Sequence, residues 1–141
     1  MAEPIHHQAI IMPLEIRVKV TDPQSLNEDY NKLFRAGDLE GLVSLYEASA
    51  VLCPAPGHLL TGHEQIREQL KALLTLQGEL VATQLSCVQQ DDLAMLHAKW
   101  RFNGTDAAGN PVDIGGHSSK LARRGAEGGW RYVMDLPVAL S

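Results

Sequence analysis

A histidine and a serine two residues apart in the last third of the chain are the first candidates for chemistry. The segment from Pro111 to Arg124 has the pattern of a β-strand, in which alternate residues share a face. One face carries Asp113, Gly115, His117, Ser119 and Leu121. Leu121 indicates that this face points inward, with Asp113 toward the rim. His117 is therefore a candidate general acid or base, because histidine titrates near neutral pH, and the alternative is a hydrogen-bonded structural histidine.

The other histidines show no spacing that would hold a metal ion. His6 and His7 are adjacent near the N-terminus, where solvated side chains are the usual case, and His58, His63 and His97 are isolated. No two histidines combine i, i+2 or i, i+4 spacing with a neighbouring carboxylate. The sequence also lacks a glycine-rich phosphate loop, a G-x-S-x-G elbow and a CxxC pair. We therefore expect no metal and no cofactor.

Composition indicates one ordinary globular domain. The chain has 141 residues, of which 45% are hydrophobic and 21% charged, and its net charge is −5. Domains of about 100–150 residues bury enough apolar surface to fold without disulfides. A mildly acidic chain repels phosphate backbones, so nucleic acid is not an expected partner.

The cysteines and the absence of long apolar runs favour the cytoplasm. Cys53 and Cys87 lie far apart in apolar, strand-like stretches, which is typical of reduced, buried thiols. No stretch approaches the ~20 apolar residues of a membrane-spanning helix. The first residues lack the basic region of a signal peptide. A cytoplasmic protein without membrane contact is expected.

Three helices are predicted in the first half of the domain. The spacing of Ser25 and Glu28 is that of a capping box, with Asp22 as an alternative start, and an apolar stripe that includes Tyr30 follows up to Gly37. Asp38 caps a second, short helix, with Tyr46 on its inner face. The segment 61–64 is another capping box and opens the third helix.

Strands account for most of the remaining chain. A short strand at Ala50–Cys53 and a brief hairpin arm at Leu59–Leu60 precede the third helix. Four longer strands follow it as an antiparallel meander, at Glu79–Gln90, Leu93–Asn103, Pro111–Arg124 and Trp130–Leu136. In the second of these, Leu96, Ala98, Trp100 and Phe102 form an apolar face. Helices followed by a meander indicate an α+β fold, with residues 23–141 as the domain and residues 1–22 as an N-terminal extension or arm.

Three segments resemble proteins of one superfamily. Residues 30–46 resemble the N-terminal helices of ketosteroid isomerases, residues 57–66 resemble the stretch that opens the third helix of SnoaL-like proteins, and residues 129–135 resemble their closing strand. The resemblance covers about residues 25–136 and implies the nuclear transport factor two-like, cystatin-like fold. In that fold a curved sheet wraps the first helix into a cone, and ligands sit at its wide end.

The resemblance also implies roles for particular residues. Tyr30 matches the tyrosine that donates a hydrogen bond to the enolate oxygen in the isomerases; a core tyrosine is the alternative. Cys53 falls where the isomerases carry their carboxylate base, and an unactivated thiol cannot replace that base. Cys53 is therefore expected to line the pocket as a small apolar side chain. The other residues expected to line it are Tyr46, His58, Trp100 and Ser119.

Two functions are compatible with these patterns. The first is an acid–base isomerase, cyclase or dehydratase with a non-standard site, in which Tyr30 and His117 act on a small apolar molecule. The second is a ligand-binding or dimerising module without catalysis. The outer face of the second meander strand mixes Met95, His97, Lys99 and Arg101, which suits a homodimer.

Overall fold

The computed structural model describes residues 19–140, which form an α+β arrangement of short helices followed by long strands. A single 3-10 turn at Pro23–Ser25 leads into the helices, which are α1 (Leu26–Ala36), α2 (Leu39–Ser44) and α3 (Gly62–Leu73). The strands are β1 (Tyr46–Ala55), β2 (His58–Thr61), β3 (Gln77–Gln90), β4 (Leu93–Thr105), β5 (Pro111–Arg124) and β6 (Trp130–Leu140). The predicted N-terminal arm lies largely outside the described residues, and the domain boundary after residue 22 stays a prediction.

The first helices begin and end at the residues that the sequence marks, with one exception. The side chain of Asp22 accepts a hydrogen bond from the Gln24 amide, whereas Ser25 makes no side-chain cap. Gly37 ends α1 in the left-handed conformation (φ 68°), which glycine adopts without steric cost. Asp38 accepts from the Gly41 amide and caps α2. Both predicted starts occur in the structure: Ser25 is the N-cap residue of α1, and Asp22 caps the 3-10 turn that precedes it.

The six strands form one mixed sheet in the order β2-β1-β6-β5-β4-β3. The predicted antiparallel meander is confirmed for β3 to β6. β1 pairs with β6 in parallel and begins at Tyr46, which pairs with Tyr132. Tyr46 was expected on the second helix, and that placement is wrong, because pairing with the closing strand extends β1 toward the N-terminus.

A bulge in β6 changes which of its residues face the helices. Ala122 of β5 pairs with Tyr132, but the preceding Leu121 pairs with Met134, so Val133 is an extra residue in β6. Tyr132 and Asp135 are consequently both buried, although they are three residues apart, while Met134 is exposed. This irregularity brings a carboxylate to the inner face of the sheet.

The inner face of β5 is the opposite of the one that we expected. Gly116, Ser118, Lys120 and Ala122 are buried, whereas Asp113 and His117 are exposed and Gly115, Ser119 and Leu121 are partly exposed. Register explains the difference, because Trp100, Ala98 and Leu96 on the apolar face of β4 pair with Gly116, Ser118 and Lys120. Paired residues point to the same side of a sheet. Leu121 alone was therefore a misleading indicator.

The core lies between the helices and the concave face of the sheet. Leu26, Leu42, Ile66 and Leu70 of the helices are fully buried there against strand residues. Val20 belongs to the same core, and its carbonyl accepts a hydrogen bond from the Trp130 amide. This packing leaves a space beside α1 and α3 that the apolar side chains do not fill.

Candidate functional site

A cavity of about 230 Å³ lies between α1, α3 and the concave face of the sheet. Most of its lining is apolar, which is typical of sites for small organic molecules. The apolar wall consists of Phe34, Leu52, Pro54, Leu70, Leu73, Leu76, Leu80, Phe102, Ile114 and Pro137. The remaining lining residues carry polar atoms and are Tyr30, Tyr46, Gln69, Trp100, Ser118, Lys120 and Asp135.

Three of the seven residues predicted from the sequence line this cavity. Tyr30 reaches it from α1, Tyr46 from the start of β1 and Trp100 from the inner face of β4. The structure therefore brings together the one predicted catalytic tyrosine and the two predicted aromatic wall residues. The four others lie elsewhere.

Cys53 and His58 do not contribute to the described lining. The cavity meets Leu52 and Pro54, the two neighbours of Cys53 on β1, whereas the Cys53 thiol lies 3.1 Å from the carbonyl oxygen of Ala55. His58 is exposed at the start of β2. The expectation that they form the pocket wall is corrected: alternate residues of a strand share a face, so Leu52 and Pro54 line the cavity and Cys53 between them does not, while His58 is exposed.

His117 and Ser119 lie on the outer face of the sheet. His117 is exposed, and Ser119 exchanges a hydrogen bond of 2.7 Å with the His97 ring of the neighbouring strand. Neither residue lines the cavity. The interpretation of His117 as a general acid or base inside the pocket is therefore wrong, for the reason of strand register given above.

A charged pair occupies the polar part of the cavity. Lys120 and Asp135 are 8% and 3% exposed, and the Lys120 Nζ lies 3.7 Å from Asp135 Oδ2. The same oxygen accepts a 2.6 Å hydrogen bond from the Tyr46 hydroxyl. Buried charges are tolerated when they are paired in this way, because each compensates part of the desolvation of the other.

Aromatic rings surround the Lys120 ammonium group. Its nitrogen lies 4.5 Å from the ring centroid of Tyr30 and 4.5 Å from that of Tyr132. The negative face of an aromatic ring attracts a cation at such distances. Tyr132 is itself held by a 2.6 Å hydrogen bond from its hydroxyl to Asn27 Oδ1. The ammonium is therefore fixed between two rings and one carboxylate.

All three tyrosines of the cluster stay protonated at physiological pH. Burial raises the pKa of Tyr30, Tyr46 and Tyr132 above the ordinary value, and the negative charge of Asp135 raises each of them further. A protonated phenol is a hydrogen-bond donor. Tyr30 and Lys120 together can thus offer donors to an oxygen atom of a ligand at this end of the cavity.

Two buried polar atoms that belong to lining residues lack a protein partner. Asp135 Oδ1 is an acceptor and Trp100 Nε1 is a donor, and neither has a hydrogen bond within the described residues. An unpaired buried polar atom costs roughly 1–3 kcal/mol. Sites for polar groups of a ligand are one explanation of such atoms.

Sequence reasoning missed the two charged residues of this cluster. Lys120 was assigned to the outer face together with the other even-numbered residues of β5. Asp135 was recognised only as part of a family motif. The alternation of β4, paired residue for residue with β5, would have identified Lys120. The bulge at Val133 has no comparable signal in the sequence.

Metal-binding clusters and membrane-spanning helices are absent from the described part of the chain. Within residues 19–140, no group of three or more histidine, cysteine, aspartate or glutamate side chains is arranged to hold a metal ion. No helix in the same part is long and apolar enough to cross a membrane. Both described cysteines are free thiols.

Known proteins resemble this chain in sequence pattern and in fold. The model of the SnoaL-like domain family matches residues 27–131. No curated protein sequence matches. A ketosteroid isomerase-like protein of Erwinia carotovora atroseptica superposes with a TM-score of 0.76 at 18% identity, over 84% of this chain and 93% of the other.

Two further solved structures share the fold. A conserved protein of Planctomyces limnophilus gives a TM-score of 0.74 at 21% identity, over 83% of this chain and 92% of the other. A nuclear transport factor 2-like superfamily protein of Salmonella enterica gives a TM-score of 0.69 at 16% identity, over 83% of this chain and 87% of the other. These identities support the cone fold and leave the reaction open. Since the family model spans most of the domain, the chain belongs to the SnoaL-like domain family.

Proposed function

We propose that this chain binds a small, mostly apolar carbonyl compound in the cavity and directs its oxygen toward Lys120 and Tyr30. The observation that carries the proposal is the buried ammonium group of Lys120, paired with Asp135, at the polar end of a mostly apolar cavity. An ammonium and a phenol that both donate to one carbonyl oxygen stabilise the negative charge that develops there when a neighbouring carbon loses a proton. The arrangement suits acid–base chemistry of the isomerase, cyclase or dehydratase type.

Charge balance favours a neutral ligand over an acid. Lys120 and Asp135 already compensate each other within the cavity. A ligand carboxylate would add an uncompensated negative charge to this space, and an isolated buried charge is expensive. A ketone or aldehyde adds only a hydrogen-bond acceptor.

The volume of the cavity limits the size of the ligand. The cavity measures about 230 Å³. Pockets for larger ligands measure roughly 300–1,000 Å³. One ring or a short branched chain therefore fits, whereas a polycyclic ligand requires the walls to move.

A non-catalytic binding module is the second candidate. A thiol, Cys53, stands where the isomerases carry their base, and it lies outside the cavity lining. Asp135, the carboxylate within the cavity, already accepts the Tyr46 hydroxyl and faces Lys120. In this alternative the cluster orients the ligand, and no proton leaves it.

Tryptophan fluorescence tests the binding proposal. Trp100 lines the cavity, while Trp130 is buried elsewhere beside Arg124. Cyclohexanone should change the tryptophan emission in a saturable way, and this change should persist in Trp130→Phe and disappear in Trp100→Phe. Cyclohexanecarboxylate should bind at least about tenfold more weakly because of its charge. Equal binding of both molecules would contradict the proposal.

Proton exchange separates the two candidates. An enzyme of this type should accelerate the exchange of the protons next to the cyclohexanone carbonyl with deuterated water, which nuclear magnetic resonance follows directly. Tyr30→Phe should slow this exchange by about 10²-fold or more, because one donor to the oxygen is lost. Saturable binding without accelerated exchange would establish the binding module instead.

We also propose that the outer face of the sheet pairs with a second copy of the chain. Met95, Met134, Leu136 and Val138 form an apolar ridge there, each more than two fifths exposed. Contiguous exposed apolar surface of this kind marks interaction sites. The rim contains charges of both signs, for example in the pair Arg101–Asp113, which lets the face meet a copy of itself without net repulsion.

Light scattering after size-exclusion chromatography tests the dimer. The wild-type chain should have twice the mass of its monomer, and Met134→Glu should reduce it to the monomer, because two buried carboxylates would oppose each other across the interface. Leu59→Glu is the matched control, since Leu59 is also exposed (63%, against 51% for Met134) but lies on β2. A monomeric wild type would refute the dimer and leave the ligand proposal untouched.

A further inference from the structure

We infer that Lys120 bonds covalently to its ligand when that ligand is an apolar aldehyde, forming an imine with it. This inference rests on the proposed function and goes beyond it, since the lysine would act as a nucleophile rather than only as a donor. Among the described lysines Lys120 alone is buried, whereas Lys19, Lys32, Lys71 and Lys99 are exposed. Lysines that form imines with carbonyl compounds lie in such apolar pockets.

The surroundings of Lys120 supply the proton acceptor that this chemistry needs. Asp135 Oδ2 lies 3.7 Å from Nζ, and Asp135 Oδ1 has no hydrogen-bond partner among the described residues. The carboxylate can therefore take a proton from the ammonium. Tyr46 remains bonded to the carboxyl group throughout and keeps it in place.

The reaction balances in atoms and charge and needs no further reactant. Asp135 accepts one proton from the Lys120 ammonium, and the free amine attacks the carbonyl carbon, so a carbon–nitrogen bond forms while the carbonyl π bond breaks. Asp135 then donates this proton to the former carbonyl oxygen. It accepts a second proton from the nitrogen, which leaves a neutral carbinolamine. The carbinolamine hydroxyl then leaves as water with that proton, and the nitrogen lone pair forms the carbon–nitrogen double bond. The product is a protonated imine, one water molecule and an ionised Asp135.

The charge pattern of the cavity suits this product. The protonated imine carries the same single positive charge as the ammonium that it replaces, so Asp135 keeps its counter-ion. The rings of Tyr30 and Tyr132, whose centroids lie 4.5 Å from Nζ, attract either cation. Lys120 is only 8% exposed, which limits the access of water that would hydrolyse the imine.

Reductive trapping tests the inference on the full chain. The protein is treated with cyclohexanecarbaldehyde and sodium cyanoborohydride, which reduces a protonated imine to a stable secondary amine, and the modified peptides are mapped by mass spectrometry. Lys120 should be alkylated at least about tenfold faster than exposed Lys99, because the cavity holds the aldehyde beside it. Lys120→Arg keeps the positive charge and should lose the fast modification.

Three results would overturn the inference, and they differ in what else they affect. If alkylation spreads over the exposed lysines and spares Lys120 while cyclohexanone still changes Trp100 fluorescence, the ligand binds without a covalent bond. If neither the modification nor the fluorescence change occurs, the proposed function fails as well. Fast modification that persists in Lys120→Arg would also refute the role of Lys120.

Discussion

Lys120→Met is expected to destabilise the fold by about 3–5 kcal/mol, the usual cost of removing one partner of a buried ion pair. Asp135 would remain 3% exposed with its charge uncompensated, and only the Tyr46 hydroxyl would still bond to it. The contacts of the ammonium with two tyrosine rings would be lost too. Urea unfolding followed by circular dichroism measures the change in the free energy of unfolding.

The matched controls separate charge from packing. Lys99→Met, on the exposed face of the adjacent strand, should change stability by less than about 0.5 kcal/mol. The double variant Lys120→Met with Asp135→Asn should recover most of the loss, because no unpaired charge is left in the cavity. Equal losses in the single and the double variant would show that packing of the lysine chain, rather than its charge, stabilises the site.

Alkaline pH is expected to unfold the protein more steeply than an ordinary domain of this size. Burial and the negative charge of Asp135 raise the pKa of Tyr46 and Tyr132 well above the ordinary value of about 10. The unfolded chain therefore releases these protons first as the pH rises. The stabilisation is complete below about pH 10 and is lost progressively above it.

The size of this effect follows from the number of protons. Each tyrosine that stays protonated only in the folded state lowers the free energy of unfolding by about 1.4 kcal/mol per pH unit, so Tyr46 and Tyr132 together contribute roughly 3 kcal/mol per unit. The pKa of Tyr30 is also raised by burial and by the charge of Asp135, so Tyr30 adds to the effect in the same direction. Urea unfolding between about pH 8 and pH 11 measures the slope.

Tyr132→Phe is the control for the alkaline effect. It should remove roughly half of the decrease in the free energy of unfolding per pH unit to which Tyr46 and Tyr132 both contribute. The deprotonation of surface lysines is common to both proteins and cancels in the comparison. Tyrosine ionisation, followed by ultraviolet absorbance, should coincide with unfolding. Ionisation of all three tyrosines near pH 10 in a still folded protein would contradict the burial of the cluster.

The fold was predictable because the signals for it are local. Asp22, Gly37 and Asp38 mark the ends of helices through their own backbone and side-chain chemistry. The alternation of β4 and the glycine-rich turn before Trp130 fix the meander in the same way. Family resemblance supplied the pairing of these elements into a cone, and the structure agrees with it.

The site was predictable only in part, because it depends on how strands pair. Tyr30 was implied by the family resemblance, whereas Trp100 lies on the apolar face that the alternation of β4 predicts. His117 was misplaced, since a single apolar neighbour was used to orient β5 when the register with β4 determines it. Asp135 faces inward only because of the bulge at Val133, which shifts the alternation of β6 by one residue. The polar cluster is thus a product of tertiary pairing.

A crystal structure of the chain grown with cyclohexanone tests the central claim most directly. We predict ligand density inside the cavity, with the carbonyl oxygen within hydrogen-bond distance of Lys120 Nζ or the Tyr30 hydroxyl and the ring against Leu52 and Leu70. The same experiment on the Lys120→Met, Asp135→Asn double variant should show a ring that has lost this orientation. Density only on the outer face of the sheet, with the cavity filled by water or by rearranged side chains, would contradict the account.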